Sequence, residues 1–301
     1  MSAFPEKLLL ATDGSEDATL AARAANDLSG RTGAELHVVH VWQDLRPPNL
    51  PAAAVGEYLR AYEEWEQEAR ELLEEQAEHL RSTGGTVAEV YLRNGQPAEE
   101  IAALAEELDA ELVVVGSRGL GTVKRLVVGS VSEGVVSLAP CPVLVVRGGK
   151  EAWPPPRIVV GADLSEEAGR AANLAVNFGY ALALEVLVVI ACPRPMPVSC
   201  RATPGALAQA DRGDNRAWEA LLRLSAGLEN VIEARPKTRT VLGDAATVIQ
   251  DAAEEGEKSA LVVVGRRGIG AIRRSILGGV SSDVMRSVDG PVLIVPSPDR
   301  A

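Results

Sequence analysis

Cysteine is nearly absent: Cys141, Cys192 and Cys200 are the only three in the chain, and none stands in a CxxC pair. So few thiols exclude a disulfide scaffold and point to a reducing compartment. Histidine is as scarce. His37 and His40 lie three apart in an apparent strand, so they face opposite ways, and His79 sits apart on an acidic stretch; no zinc-type cluster follows. Long apolar runs are also missing. The longest, Ala181 to Ala191, is broken by Glu185 and is too short to span a bilayer, so no membrane partner is expected. The first residues, with Glu6 and Asp13 around a short apolar run, lack a signal-peptide pattern, and the expected location is cytoplasmic. Basic charge is in deficit, 30 Lys and Arg against 42 Asp and Glu for a net −12. That balance repels a phosphate backbone, so no nucleic-acid partner is expected, although local basic groups can still hold a small anion. The deficit is uneven: residues 1–150 carry 13 basic against 24 acidic side chains, residues 151–301 carry 17 against 18. Much of it falls between Glu57 and Glu78 and reads as a solvated helix face. Familiar catalytic signatures are missing too. No GxxxxGK[ST] occurs, the run Gly116 to Gly121 has the wrong spacing for GxGxxG, and no GxSxG elbow is present. Cys141, followed by Pro142 and an apolar run, is read as a buried side chain.

What the chain has instead is repetition. Residues 8–15 (LLLATDGS) return at 158–165 (IVVGADLS), and ELHVVHV at 35–41 returns as EVLVVIA at 185–191. ELVVVGSRGLG at 111–121 returns as ALVVVGRRGIG at 260–270, and CPVLVV at 141–146 as GPVLIV at 290–295. The offset is 149–150 throughout, so the 301 residues are a tandem duplication. Each half has the length of an average domain and can bury roughly 70% of its unfolded surface without metal or disulfide. The expected domains are 1–147 and 157–301, joined by a Gly- and Pro-rich linker at 148–156, where three successive prolines favour an extended spacer.

Within each half, continuous apolar runs read as strands buried on both faces. Between them lie helical patterns: Glu16 to Leu28 capped by Ser15, and AEEIAALAEEL opened by Pro97. Val55 to Leu80 carries a stripe from Leu59 through Tyr62, Trp65, Ala69 and Leu72 to Leu80, with the aromatic members read as core or lid. The order βαβαβαβαβ predicts an α/β fold of two tandem doubly wound, five-stranded parallel sheets, Rossmann-like. In such sheets ligands bind at the carboxyl ends of the strands, where connections diverge. Asp13 and Asp163 fall there. A carboxylate at that place either accepts hydrogen bonds from vicinal hydroxyls or makes an Asx turn into the next helix. A spaced pattern also falls there, Gly116-x2-Gly119-x9-Gly129-Ser130, repeated as Gly265-x2-Gly268-x9-Gly278-Gly279. Glycine lets backbone approach a ligand, and the helix N-terminus after Gly129 offers N–H groups to phosphate, with Ser130 and Ser132 as further donors. Arg118, Lys124 and Arg125 are close in sequence, as are Arg266, Arg267, Arg273 and Arg274.

Asp13-Gly14-Ser15, GSRGLG…VGSVS at 116–132 and APCPVLVV at 139–146 resemble the universal stress protein family, over nearly the whole chain as two consecutive domains. The glycine pattern ending in Gly-Ser resembles the branch that binds ATP. The resemblance implies a ribose contact at Asp13, a backbone contact from Val41 to adenine, and a phosphate cradle of Gly116, Gly119, Gly129, Ser130, Val131 and Ser132 with Arg118 beside it. In the second half it implies Asp163, Ala191, Gly265, Arg267, Gly268, Gly278, Gly279, Val280 and Ser281. Two ATP sites per chain follow, with magnesium accompanying the phosphates and no catalytic residue assigned. Leu164 in place of the glycine after the aspartate, and Gly279 in place of the serine, predict a weaker second site. The expected function is a nucleotide-dependent regulator in stress response or dormancy. The alternative is a slow ATPase or phosphotransferase at the same site. The closing strands PVLVV and PVLIV are expected to be sheet edges, and the resemblance implies that they pair antiparallel, making an intramolecular pseudo-dimer; a further homodimer of whole chains is left open.

Overall fold

The computed structural model describes residues 4–43, 51–119, 128–147, 153–163, 165–192, 237–266 and 279–297. In the first half these form β1 (Lys7–Ala11), α1 (Glu16–Thr32), β2 (Glu35–Trp42), α2 (Val55–Ser82), β3 (Val87–Asn94), α3 (Pro97–Glu107), β4 (Leu112–Gly116), α4 (Ser130–Leu138) and β5 (Val143–Val146). The second half gives β6 (Ile158–Ala162), α5 (Glu166–Leu182), β7 (Val186–Cys192), β8 (Lys237–Leu242), α6 (Ala245–Glu254), β9 (Leu261–Gly265), α7 (Gly279–Ser287) and β10 (Val292–Val295). Local chemistry sets the helix starts. Ser15 Oγ accepts from the Ala18 N–H, Glu16 and Asp17 fill the first turn of α1, and Pro97 opens α3. Ser165 caps α5 in the same way, through the Ala168 N–H.

The strands join one ten-stranded sheet in the order β3-β2-β1-β4-β5-β10-β9-β6-β7-β8. Each half is parallel, and the halves meet where β5 runs antiparallel to β10, with Leu144 opposite Leu293. The antiparallel pairing that the family resemblance implies is therefore present, and it fuses the two expected sheets into one. Alternation along the strands splits the core into two layers. Leu8, Leu10, Leu36, Val38, Leu112 and Val114 face α1, α2 and α5, while Leu9, Val39, Val113 and Val115 face α3, α4, α6 and α7. Both layers run unbroken across the junction, which is why the central strands show no polar face.

Two buried arginines cross that junction. Arg147 follows β5 and donates to the Met285 carbonyl in α7; Arg266 follows β9 and donates to the Val136, Ser137 and Ala139 carbonyls at the end of α4. Each is only 4% exposed. Burial is the main cause that lowers the Arg147 pKa from its ordinary value. A cation at the carbonyl end of a helix meets orphan acceptors and the negative end of the dipole. Arg286 of α7 also pairs with Glu133 of α4 at 2.9 Å, Phe4 packs on Phe178 with ring centroids 4.9 Å apart, and Trp153 Nε1 donates to Asp27. Among the described residues no helix is long and apolar enough to cross a membrane.

Candidate functional site

β1 and β4 are neighbours, yet the chain leaves β1 toward one face and β4 toward the other. A crevice opens at their carboxyl ends for that reason. It is a cleft of about 1030 Å³, and the nine first-half residues that the family resemblance implies line it: Asp13, Val41, Gly116, Arg118, Gly119, Gly129, Ser130, Val131 and Ser132.

Asp13 makes the Asx turn and keeps one carboxylate oxygen outside it. Its Oδ1 accepts the Ser15 N–H at 3.0 Å, which is the Asx turn, while Oδ2 lies over Gly119, occupying the space a Cβ there would need. Val41 stands near the end of β2, where the ladder to β1 closes with Thr12 N–H to Val39 O at 2.9 Å. Two residues further on, Val41 presents its backbone groups to the same side, which β1 has vacated by turning toward α1. Gly129 precedes α4 and no side chain caps that helix, so its first N–H groups point out of the helix unpartnered by a cap. Ser130 and Val131 are exposed there.

Three residues do structural work in the loop. Gly116 has no room for a side chain because an added Cβ would meet the backbone of Asp17 and Ala18 in α1 at 2.6–2.9 Å. Ser132 is buried, with Oγ at 2.9 Å from both the Ser117 and Gly129 carbonyls, so its hydroxyl holds the loop closed. Arg118 forks onto Asp17 through Nε and Nη2 at 3.0 and 3.2 Å, and Ser117 Oγ donates to the same carboxylate at 2.7 Å. The bond to Asp17 raises the Arg118 pKa further. Arg118 therefore borders the cleft as an anchored cation.

Further residues line the cleft, among them Trp65, which the sequence reading gave to the core or a lid. His40 donates from Nδ1 to the Thr12 carbonyl at 2.8 Å, which fixes its tautomer; Trp42 packs edge-on against Tyr62 of α2. α2 then lays Trp65, Glu68, Ala69 and Leu72 along one wall, with Ile101 of α3 on another. The i, i+4, i+7 spacing of Trp65, Ala69 and Leu72 was the available signal, since part of that stripe faces the cleft. Glu68, one of nine glutamates between positions 57 and 78, carried none.

In the second half, Asp163 Oδ1 accepts from Ser165 N–H and Oγ at 3.1 and 2.6 Å, and Ala191 lies in β7 as Val41 does in β2. Gly265 ends β9, Gly279 and Val280 are exposed at the start of α7, and Ser281 Oγ donates to the Arg266 carbonyl at 2.9 Å. That bond repeats the one from Ser132 to Ser117. Arg267, Gly268 and Gly278 lie outside the described residues, as do Leu164, Lys124, Arg125, Arg273 and Arg274. Arg266 corrects the sequence reading. It was expected beside the second phosphate cradle, but it continues the alternation of Val262 and Val264 and turns beneath the sheet end to α4. His37 faces away from His40, toward Tyr91, and no group of three or more metal-ligating side chains occurs among the described residues.

Comparison with known proteins gives one result. The universal stress protein family matches residues 5–147 and again 155–296. A universal stress protein of Thermus aquaticus is 40% identical over 140 residues, which is 46% of this chain and 97% of that protein. The universal stress protein YxiE of Bacillus subtilis is 37% identical over 146 residues, 47% of this chain and 98% of its own. A crystal structure of a universal stress protein from Archaeoglobus fulgidus aligns over 98% of this chain and 97% of its own with a TM-score of 0.66 and 24% identity, a likeness of fold across both halves.

Proposed function

The chain belongs to the universal stress protein family, and on that premise we propose that it is a cytoplasmic ATP-binding regulator whose first-half cleft holds the nucleotide. The observation that carries this reading is the meeting of all nine chosen residues in one cleft against the uncapped N-terminus of α4. In this reading Asp13 Oδ2 accepts from the ribose hydroxyls and the free backbone of Val41 meets the adenine edge. The leading N–H groups of α4 and the Ser130 hydroxyl receive the phosphates. Gly119 and Gly129 keep Cβ atoms out of the way, while Ser132, Ser117 and Asp17 hold the loop to shape. Arg118, anchored on Asp17, adds positive potential. The volume suits a ligand of nucleotide size. Magnesium comes with the phosphates, as part of the ligand.

The same assignment in the second half uses Asp163, Ala191, Gly265, Arg267, Gly268, Gly278, Gly279, Val280 and Ser281. There Gly279 removes the hydroxyl of Ser130, and a hydrogen bond to a charged group is worth about 1.5–3 kcal/mol. Because Arg266 is turned to α4, it does not compensate, and the second site is weaker by roughly tenfold or more. Titration calorimetry on Asp13→Ala and Asp163→Ala tests both statements. Each variant loses one ATP site, and the chain retaining the first site binds more tightly. Wild-type ATP binding by both variants would contradict the assignment.

A further inference from the structure

Arg266 belongs to the second half by its backbone and to the first by its side chain. Its N–H donates to the Val295 carbonyl at 2.7 Å, and its carbonyl accepts from Ser281 Oγ at 2.9 Å. The side chain, 4% exposed, reaches under the junction, and Nη1 lies 3.2–3.3 Å from the Val136, Ser137 and Ala139 carbonyls. Those carbonyls terminate α4, whose other end is the Gly129–Ser132 cradle. α4 has nine residues and is a rod of about 13 Å, too short to bend between its ends. Arg147 makes the mirrored reach onto Met285 of α7, the helix that begins at Gly279. One residue is thus bonded to the closing serine of one cradle and to the far end of the helix that makes the other.

We infer that Arg266 is a positioning residue for the phosphate end of the first-half site, supplied by the second half; this rests on the nucleotide reading given above. Its bonds set where α4 ends. Without them the Val136 and Ala139 carbonyls are bare in a buried interface and the Ser137 carbonyl in a partly buried one, and the helix shifts to satisfy them. The N–H groups at its start shift with it. The displacement falls on the phosphates, since the proposed base and ribose contacts come from β1 and β2.

The test compares ATP with adenosine on the full chain carrying Asp163→Ala, with and without Arg266→Gln or Arg266→Lys, by calorimetry well below each variant's unfolding midpoint. Arg266→Gln is expected to weaken ATP roughly three- to thirtyfold, the range of mutations that act through a coupled element, and to leave adenosine within about twofold of the parent. Arg266→Lys keeps the charge but reaches fewer carbonyls and gives a smaller loss of the same kind. If Arg266→Gln does not fold, the lysine variant decides by the same ratio. Equal weakening of ATP and adenosine, or no weakening of either, overturns the inference and leaves the nucleotide reading standing. A parent chain that binds neither ligand overturns both.

Discussion

Gly116 and Gly119 stand three residues apart in one repeated pattern, yet alanine at each has a different cost. At Gly116 an added Cβ lies 2.6 Å from the Asp17 carbonyl carbon and 2.7 Å from the Ala18 nitrogen. Both are backbone atoms of the first turn of α1, so no side chain can rotate away and the helix must lift off β4. Overpacking of this kind costs about 1–3 kcal/mol, and the backbone contact puts it in the upper half of that range. At about 2–4 °C per kcal/mol for a chain of this size, the melting temperature falls by about 4–12 °C. At Gly119 the Cβ meets Asp13 Oδ2 at 2.4 Å and next Cγ at 3.6 Å. A carboxylate tip turns aside at a cost of about 0.5–1.5 kcal/mol. That turn, however, removes the oxygen proposed to receive the ribose, which weakens ATP about tenfold or more. Scanning calorimetry and ATP titration on the two variants separate the effects. The reasoning is refuted if Gly116→Ala melts within about 1 °C of the wild type, or if Gly119→Ala binds ATP unchanged.

Two further outcomes are expected. Burial first, and then the hydrogen bond to Glu89, raise the Tyr91 phenol from 10.0 to about 12. A folded pKa raised above the unfolded one gives stability that is whole below pH 10 and is lost as pH rises toward 12. Tyr91→Phe is expected to flatten that loss, and an unfolding free energy that falls as steeply between pH 10 and pH 12 in the variant as in the wild type would contradict it. Residues 1–150 expressed alone expose the edge of β5 that β10 covers. They are expected to self-associate in sedimentation, and a strictly monomeric half at high concentration would contradict the role given to that edge.

Local signals carried most of the fold. Ser15, Pro97 and the unbroken apolar runs foretold helix starts and a sheet buried on both sides, because each acts within a few residues. The duplication extended that reach by marking both closing strands as edges to be covered, and the family resemblance supplied their antiparallel pairing. What repetition could not do was separate binding from packing. Ser132 and Ser281 recur because each closes its loop on the carbonyl of residue 117 or 266. Gly116 is confined by α1. Both would repeat with or without a ligand. Arg266 was misplaced because its neighbours Gly265 and Arg267 suggested a surface loop. Counting by twos from Val262 and Val264 places it on the face packed by α4, and the same count from Val143 and Val145 places Arg147 against α7. Glu68 reaches the cleft only through the tertiary placement of α2, which no local pattern encodes.

The central claim, that the first-half cleft holds ATP, is tested most directly by mass spectrometry of the small molecules released when the purified full-length chain is denatured, beside the same measurement on Asp13→Ala. The account predicts adenine nucleotide from the wild type and a marked loss from Asp13→Ala. A wild-type chain that releases no nucleotide, and whose melting temperature does not move when ATP is added, would contradict it.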